Sequence, residues 1–227
     1  MVRHQPIVAP SPPAARESRP DEALCDLRFR ALLGAAAWAR LPAALHARFG
    51  KRLRPGMAVT YVGRIVHSRR TWAGRLLAEL ARLIGAPLPL GDDLGVPAVV
   101  SVTEDARGGG QFWTRVYGRA RGFPQVIHSS KRFAGPTGLE EYLGAGFGIA
   151  LTVSADEQSL HFHSDHYFLQ LGRRRFRLPR WLSPGQLTIS HIDFGAEWFA
   201  FVLVLDHPLA GEIFSQAGMF RERETPC

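Results

Sequence analysis

The sequence predicts an α+β protein with two or three helices in its N-terminal half, packed on a large, curved, mostly antiparallel sheet of about eight strands. Two observations predict this class. Apolar residues recur at helical spacing only within the first 85 positions, and from position 96 onward short runs of β-branched and aromatic residues alternate with turn residues. A sheet of this size can curl into a half-barrel or a barrel. The pattern leaves open whether that sheet encloses a cavity or a filled core.

Three helical segments are expected in the N-terminal half. The first begins at Asp26, whose side chain can cap a helix, and ends at Leu41 because the ring of Pro42 cannot continue it. Pro42 then starts a short second helix that stops near Gly50. The third, at 68–85, is strongly amphipathic, since its leucines form one stripe and its charged residues lie off it. We expect this third helix to cover the core, with contact to a membrane surface as the alternative.

The strands are predicted from apolar, β-branched and aromatic runs between turn signals. The densest run, at 198–205, predicts a buried strand, and its neighbours complete a three-stranded meander in which Phe201, Leu203 and Leu205 are buried. Segment 137–143 predicts a helical turn instead. The candidate strands are 57–67, 96–104, 111–118, 123–133, 147–153, 160–171, 187–194, 198–205 and 213–220.

The length and composition predict one folded domain at 23–222, after a disordered leader at 1–22 and before a short tail at 223–227. The leader consists mainly of Pro, Ala, Arg and Ser and has little to bury. No apolar run approaches the roughly 20 residues of a membrane-spanning helix, and the N-terminus lacks the apolar region of a signal peptide. With only Cys25 and Cys227 as cysteines, a soluble cytoplasmic protein is the simplest expectation.

The charge of the chain favours acidic partners only weakly. The net charge is +8, the isoelectric point is about 10.4, and arginine supplies nearly all of the positive charge. No zinc knuckle, helix-turn-helix or aromatic RNA-binding motif accompanies it, so we expect no nucleic-acid partner. The glycines at 144–148 lead into a strand and lack the spacing of a dinucleotide-binding loop, so we expect no cofactor.

One candidate site is a cluster of histidines and aspartates. On a strand, His161, His163 and Asp165 share one face with about 7 Å between successive residues, and a later strand carries His191 and Asp193. If the strands adjoin, this set could act in a hydrolase, with His161, His163 and His191 as candidate zinc ligands. Leu160 and Phe162, on the opposite face of that strand, favour the alternative, in which these rings face water and bind no metal. The sequence leaves open whether the protein is an enzyme.

A second candidate site is the aromatic-flanked arginine at Trp113, Arg115 and Tyr117. Alternation along a strand places these three side chains on one face. A guanidinium held between aromatic rings could clamp a ligand carboxylate or phosphate. The alternative is an ion pair between Arg115 and an acidic side chain of the protein.

A third candidate is the arginine-rich segment 173–180, followed by Trp181 and Leu182. The stretch 177–185 contains too much proline for a central strand, so this region is predicted to be a solvated hairpin. Contact with an anionic membrane surface is the alternative.

Four pieces of the chain, taken in order, resemble a known bacterial family. They are FRALLGAAAW at 29–38 with Leu41-Pro42, Trp113-Thr114-Arg115, LPRWLSP at 178–184, and HPLAG at 207–211 followed by QAGMF at 216–220. This set is similar to the family called domain of unknown function 4166 (DUF4166), over about 29 to 221. The resemblance implies a stand-alone member without an established activity, so it transfers no catalytic residue. It also implies an NAD(P)-dependent oxidoreductase-like partner, because such domains precede the family domain in some members.

The leading functional hypothesis is therefore an accessory or binding module for a small apolar or anionic ligand, or for a partner protein. The alternatives are a hydrolase or other enzyme that uses the histidine and aspartate cluster, and a peripheral membrane-surface protein.

Overall fold

The computed structural model describes residues 24–85 and 87–222. The predictions made for the leader at 1–22 and the tail at 223–227 lie outside the described residues. The strands are β1 Leu24–Cys25, β2 Lys51–Arg52, β3 Ala58–Arg70, β4 Pro97–Asp105, β5 Gly110–Tyr117, β6 Gln125–Arg132, β7 Leu139–Gly144, β8 Phe147–Ala155, β9 Ser159–Leu171, β10 Arg174–Arg177, β11 Gln186–Gly195, β12 Trp198–His207 and β13 Gly211–Glu222. The helices are α1 Arg28–Leu33, α2 Ala35–Arg40, α3 Ala43–Phe49 and α4 Trp72–Leu80, with 3-10 turns at Ala81–Ile84 and Arg180–Leu182.

Ten strands form a closed antiparallel barrel. Their order around the ring is β9-β11-β12-β13-β3-β4-β5-β6-β7-β8, and β8 pairs back with β9. Strand β10 pairs with the far end of β9, outside the ring. The prediction of a curved antiparallel sheet is confirmed, but about eight strands and a half-barrel understate the result. The helical turn predicted at 137–143 is wrong, because this segment forms β7. The ring also needs the pairing of β3 with β13, two strands far apart in the sequence, and no local pattern specifies that pairing.

The C-terminal meander is confirmed. Strands β11, β12 and β13 are successive antiparallel neighbours, with Phe201 opposite His191 on one side and Gly218 on the other. Leu205 is buried, whereas Phe201 and Leu203 keep partial exposure. All three side chains line an internal cavity rather than a filled core, and the open space there leaves Phe201 and Leu203 partly exposed.

One end of the barrel, here called the base, is closed by α1 to α3. Phe29 packs edge-on against Phe49, with ring centroids 5.2 Å apart, and against Phe133 at 4.9 Å. The single first helix of the prediction is divided into α1 and α2 at Gly34, whose φ of 81° does not continue a helix. Asp26 does not cap α1 at the N-cap position; it accepts a hydrogen bond from the backbone N–H of Arg28 (3.0 Å) and pairs with its guanidinium.

The opposite end, here called the mouth, carries the connecting segments 71–85, 87–96, 118–124, 145–146, 172–185 and 208–210. They share one end because successive antiparallel strands reverse direction, so every second connection falls on the same side. Helix α4 lies across β13 at this end, and Gly74 allows the close approach, since a Cβ there would meet the carbonyl oxygen of Ile213 at 2.1 Å.

Helix α4 is shorter and more exposed than the prediction of a core-covering helix at 68–85. It begins after Arg70, because Arg70 still pairs with Phe214 in the sheet, and the Thr71 hydroxyl accepts a hydrogen bond from the backbone N–H of Gly74 (3.2 Å). Leu77 packs inward, while Trp72 is exposed. Of the helices in the described ranges, none has both the length and the apolar character needed to cross a bilayer.

Candidate functional site

The barrel encloses a cavity of about 600 Å³. This volume lies in the range of small-molecule binding sites. The wall is built from the inward residues of the strands, which alternate with outward ones. Much of the lining is apolar, including Ile65, Leu77, Ile127, Phe147, Phe201 and Leu203. The cavity reaches the surface at the mouth, because Leu80, Leu83 and Leu182 line it and are each more than half exposed.

Three charged side chains meet on the wall of this apolar cavity. Arg115 on β5, Lys131 on β6 and Glu141 on β7 come from adjacent strands, and Lys131 stands directly opposite Glu141 in the register. Lys131 Nζ lies 2.8 Å from Glu141 Oε2, and an Arg115 guanidinium nitrogen lies 3.3 Å from Glu141 Oε1. The side chains of Arg115, Lys131 and Glu141 are only 18%, 5% and 3% exposed. We call these three residues, together with Ser129, the inner cluster.

Ser129 connects the charges of the inner cluster. Its hydroxyl donates to Glu141 Oε1 at 2.6 Å and accepts from the Arg115 guanidinium at 3.0 Å. Burial would raise the pKa of Glu141, but the charges of Lys131 and Arg115 and the hydrogen bonds from Lys131 and Ser129 lower it to about 2. Glu141 is therefore ionised at neutral pH. Burial lowers the pKa of Lys131, and Glu141 offsets only part of that effect. With Lys131 protonated, the inner cluster holds two cations and one anion.

The predicted residues Trp113, Arg115 and Tyr117 all line the cavity. Lys131 Nζ lies 5.1 Å from the Trp113 ring centroid, and the Arg115 guanidinium carbon lies 5.9 Å from it. The predicted ion pair of Arg115 with an acid is also present, with Glu141 as its partner. The Trp113 Nε1–H is buried without a hydrogen-bond partner among the described residues. Burial raises the pKa of Tyr117, so its hydroxyl keeps its proton at neutral pH.

The polar and apolar parts of the cavity lie at different depths. Strand β5 runs from Gly110 at the base to Tyr117 at the mouth, and Lys131 pairs with Gln111 near the base end. Lys131 and its partner Glu141 therefore lie in the inner half of the cavity, and Arg115, two residues before Tyr117, contacts Glu141 from a position nearer the mouth. Around the mouth the lining comes from α4, from the prolines and leucine at 87–89 and from 178–184, all of which contribute apolar side chains.

His161 and His163 lie on the outer surface of the barrel. His161 Nδ1 is 2.8 Å from Ser190 Oγ, and its Nε2 is 3.0 Å from Asp156 Oδ2. His163 Nε2 lies 2.9 Å from Ser154 Oγ, and His163 Nδ1 lies 3.3 Å from Thr188 Oγ1. The two rings stack with centroids 6.0 Å apart, and both are partly exposed. We call these residues, with their hydroxyl partners on β8 and β11, the outer ladder.

The remaining candidates of the histidine and aspartate cluster lie elsewhere. Asp165 occupies a bulge of β9 and accepts a hydrogen bond from His166 Nδ1 at 2.6 Å. His191 points into the barrel near the base, where its ring stacks on Phe199 with centroids 4.4 Å apart, and burial lowers its pKa well below the ordinary value. Asp193 pairs with Arg48 at 3.3 Å.

The barrel wall therefore separates His191 and Asp193 from His161 and His163. No group of three or more His, Cys, Asp or Glu side chains within 24–85 and 87–222 is arranged to hold a metal ion.

Ser129, Lys131 and Glu141 were not predicted as site residues from the sequence. Alternation along the predicted strand 123–133 already places Ser129 and Lys131 on one face. Glu141 was not recognised because its segment was predicted to be a helical turn, and on a helix the adjacent side chains of Glu140 and Glu141 point in different directions. On β7, Glu141 points inward, whereas Glu140 points outward and contacts Arg175 and the Tyr142 hydroxyl, whose oxygen lies 2.9 Å away.

Comparison with known proteins gives one match. The sequence model described as "Domain of unknown function (DUF4166)" matches residues 41–220, which include α3, α4 and nearly all of the barrel. No curated protein and no solved structure matches the chain.

Proposed function

This chain belongs to the DUF4166 family, and we propose that it is a binding protein whose barrel takes up a small, mostly apolar molecule that carries one anionic group. The observation that carries this proposal is the inner cluster: Arg115 and Lys131 share one carboxylate, Glu141, on the wall of an apolar cavity. With Lys131 protonated, two positive charges there share one negative charge among the residues that the structure describes.

An anionic ligand group would balance the excess positive charge of the inner cluster. A buried charge without a partner is unfavourable, because the interior solvates it poorly. A carboxylate or phosphate beside Arg115 and Lys131 supplies the missing negative charge and accepts charge-assisted hydrogen bonds, which are stronger than neutral ones. The Trp113 Nε1–H, which is buried and has no hydrogen-bond partner in the described part of the chain, offers one further donor on the same wall.

The depth profile of the cavity orients the ligand. The anionic group goes to the inner half, beside Arg115 and Lys131, and the apolar part extends toward Leu77 and Leu203 and the mouth. Burial of an apolar tail contributes roughly 0.8 kcal/mol per CH₂ group, so the tail adds affinity and the charged group adds selectivity.

The outer ladder does not favour the hydrolase alternative. His161 and His163 face away from His191 and Asp193, so the two pairs share no common point at which a reaction could occur. The oxidoreductase-like partner implied by the family resemblance stays a prediction.

Titration calorimetry with two probes of equal chain length tests the proposal. We expect delipidated protein to bind dodecanoate at least about tenfold more tightly than dodecanol, which is about 1.4 kcal/mol. Arg115→Met should remove that preference while it keeps the affinity for dodecanol. The matched control is Arg107→Met, an exposed arginine in the β4–β5 turn. Equal affinities of the wild-type protein for both probes, or binding of neither, would refute the proposal.

A further inference from the structure

The mouth of the barrel carries an unusual set of exposed apolar side chains. Five large apolar residues in the described part of the chain are at least 80% exposed, and all five lie in mouth segments. They are Trp72, Leu83, Phe123, Trp181 and Leu209. At the base, the most exposed large apolar residue is Phe194, at 61%. The exposed apolar surface is therefore concentrated at the end where the cavity reaches the surface.

These side chains come from separate segments: α4, the 3-10 turn after it, the β5–β6 connection, the 3-10 turn at Arg180–Leu182 and the β12–β13 turn. Soluble surfaces rarely concentrate large apolar groups in one region without an interaction role. Trp is enriched where proteins meet the polar-apolar boundary of a bilayer, because its ring is apolar and its N–H is polar.

The same end carries arginines without an acidic partner. Arg175 and Arg177 on β10 have acidic neighbours in Glu140 and Asp165. Five other arginines of the mouth segments form no ion pair with any described residue: Arg119, Arg121, Arg173, Arg174 and Arg180.

The acids at the mouth do not cancel this charge. Asp92, Glu79 and Glu212 are already paired, with Arg70, Arg82 and Arg69 respectively. The exposed Asp206 and the half-buried Asp93 are fewer than the unpaired arginines. The mouth therefore carries exposed apolar side chains and an excess of positive charge at the same end of the barrel.

We propose that the mouth docks on an anionic phospholipid surface. Trp72, Leu83 and Trp181 enter the interface between headgroups and acyl chains, and the arginines of 173–180 lie against the phosphates. Each basic residue near an anionic membrane contributes about 1 kcal/mol, and apolar insertion adds to that. A lipid surface satisfies the apolar and the basic features together. Docking in this orientation also places the opening of the cavity against the acyl chains, so an apolar ligand can enter without crossing water.

Vesicle sedimentation tests the docking surface directly. We expect the purified chain to bind vesicles of phosphatidylcholine with about 30% phosphatidylglycerol, and to bind pure phosphatidylcholine vesicles at least about tenfold more weakly. The triple variant Arg173→Glu, Arg174→Glu, Arg180→Glu should lose at least about tenfold in partitioning to the anionic vesicles. The double variant Leu83→Ala, Trp181→Ala should lose a comparable amount, because both side chains are exposed and insert directly.

The matched control reverses the same amount of charge at the base: Arg30→Glu, Arg40→Glu, Arg107→Glu, all exposed. This control should keep most of the vesicle binding. Equal losses in the mouth and base triples would overturn the proposal, because only net charge would then matter. Absence of vesicle binding by the wild-type chain, or unchanged binding by the double variant, would overturn it as well.

The docking surface and the ligand site are separable by experiment. Arg115→Met should still bind anionic vesicles, and the mouth triple variant should still bind dodecanoate in calorimetry. Failure of the vesicle experiment thus leaves the proposed ligand binding intact, and the reverse also holds.

Discussion

The inner cluster and the outer ladder are two polar arrays on one barrel wall, and they differ in which side of the wall they face. The inner cluster joins Arg115, Lys131 and Glu141 across adjacent strands in an apolar cavity. The outer ladder joins His161 and His163 to hydroxyls across adjacent strands at the water-exposed surface. In both arrays, side chains two residues apart on one strand contact partners on a neighbouring strand.

The surroundings determine what each array does. Inside, Lys131 and Arg115 lower the pKa of Glu141 to about 2. Outside, partial burial and the neighbouring His161 lower the pKa of His163, but water screens the group. Polar residues on neighbouring strands therefore become a candidate binding site only where the wall removes them from water.

The largest effect on stability is expected in the inner cluster, from Glu141→Gln. The substitution keeps the shape of the side chain but removes the anion, which leaves Arg115 and Lys131 buried without compensation. We expect a loss of about 3–5 kcal/mol in unfolding free energy, measured by urea denaturation. Adding Lys131→Met should recover part of that loss, because it removes one of the two cations.

Glu157→Gln is the control for this prediction, since Glu157 is exposed in the β8–β9 turn. A loss below about 1 kcal/mol for Glu141→Gln would mean that the inner cluster is screened much as a surface pair is.

A second prediction concerns His191 and the pH dependence of the unfolding free energy. Its pKa in the folded protein lies well below the ordinary value of 6.5, because of burial and the nearby Arg48. As pH falls, His191 therefore takes up a proton in the unfolded chain before it does so in the folded protein. The neutral, buried His191 thus contributes its full share of the unfolding free energy above pH 6.5, and this share decreases as the pH falls below 6.5. We expect His191→Phe, which cannot titrate, to lose about 2 kcal/mol less unfolding free energy than the wild type between pH 7 and pH 5.

The control for the pH experiment is His161→Phe on the outer ladder. An identical pH dependence in the wild type and His191→Phe would show that the buried imidazole does not determine acid stability.

The smallest effect is expected outside, from the double variant His161→Ala, His163→Ala. Both rings face water, so we expect a change of no more than about 0.5 kcal/mol in unfolding free energy. Metal analysis of protein purified without a histidine tag completes the measurement. Near-stoichiometric zinc that disappears in the double variant would contradict the expectation and revive the enzyme hypothesis.

The two candidate sites were predicted to different depths. For Arg115, alternation on one strand was enough to place Trp113 and Tyr117 on the same face, and both line the cavity. For His161 and His163, the apolar Leu160 and Phe162 on the opposite face indicated that the two rings point outward, and the rings do lie outside. The partners of Arg115 on neighbouring strands were not predicted. Ser129 and Lys131 lie on a different strand from Arg115, and alternation along one strand does not show which strands are neighbours. Glu141 lies in a segment that was predicted to be a helical turn.

The sequence by itself determined the local elements and the family. The C-terminal meander, the long strand through His161 and the helix end at Leu41 before Pro42 follow from alternation, turn residues and proline, all of which act over a few residues. The tertiary structure alone decided the pairing of β3 with β13 that completes the ring, the side on which each polar row lies, and the pairing of Lys131 with Glu141. The physical reason is that a period of two assigns side chains to two faces but does not say which face becomes the interior; long-range closure of the ring makes that choice.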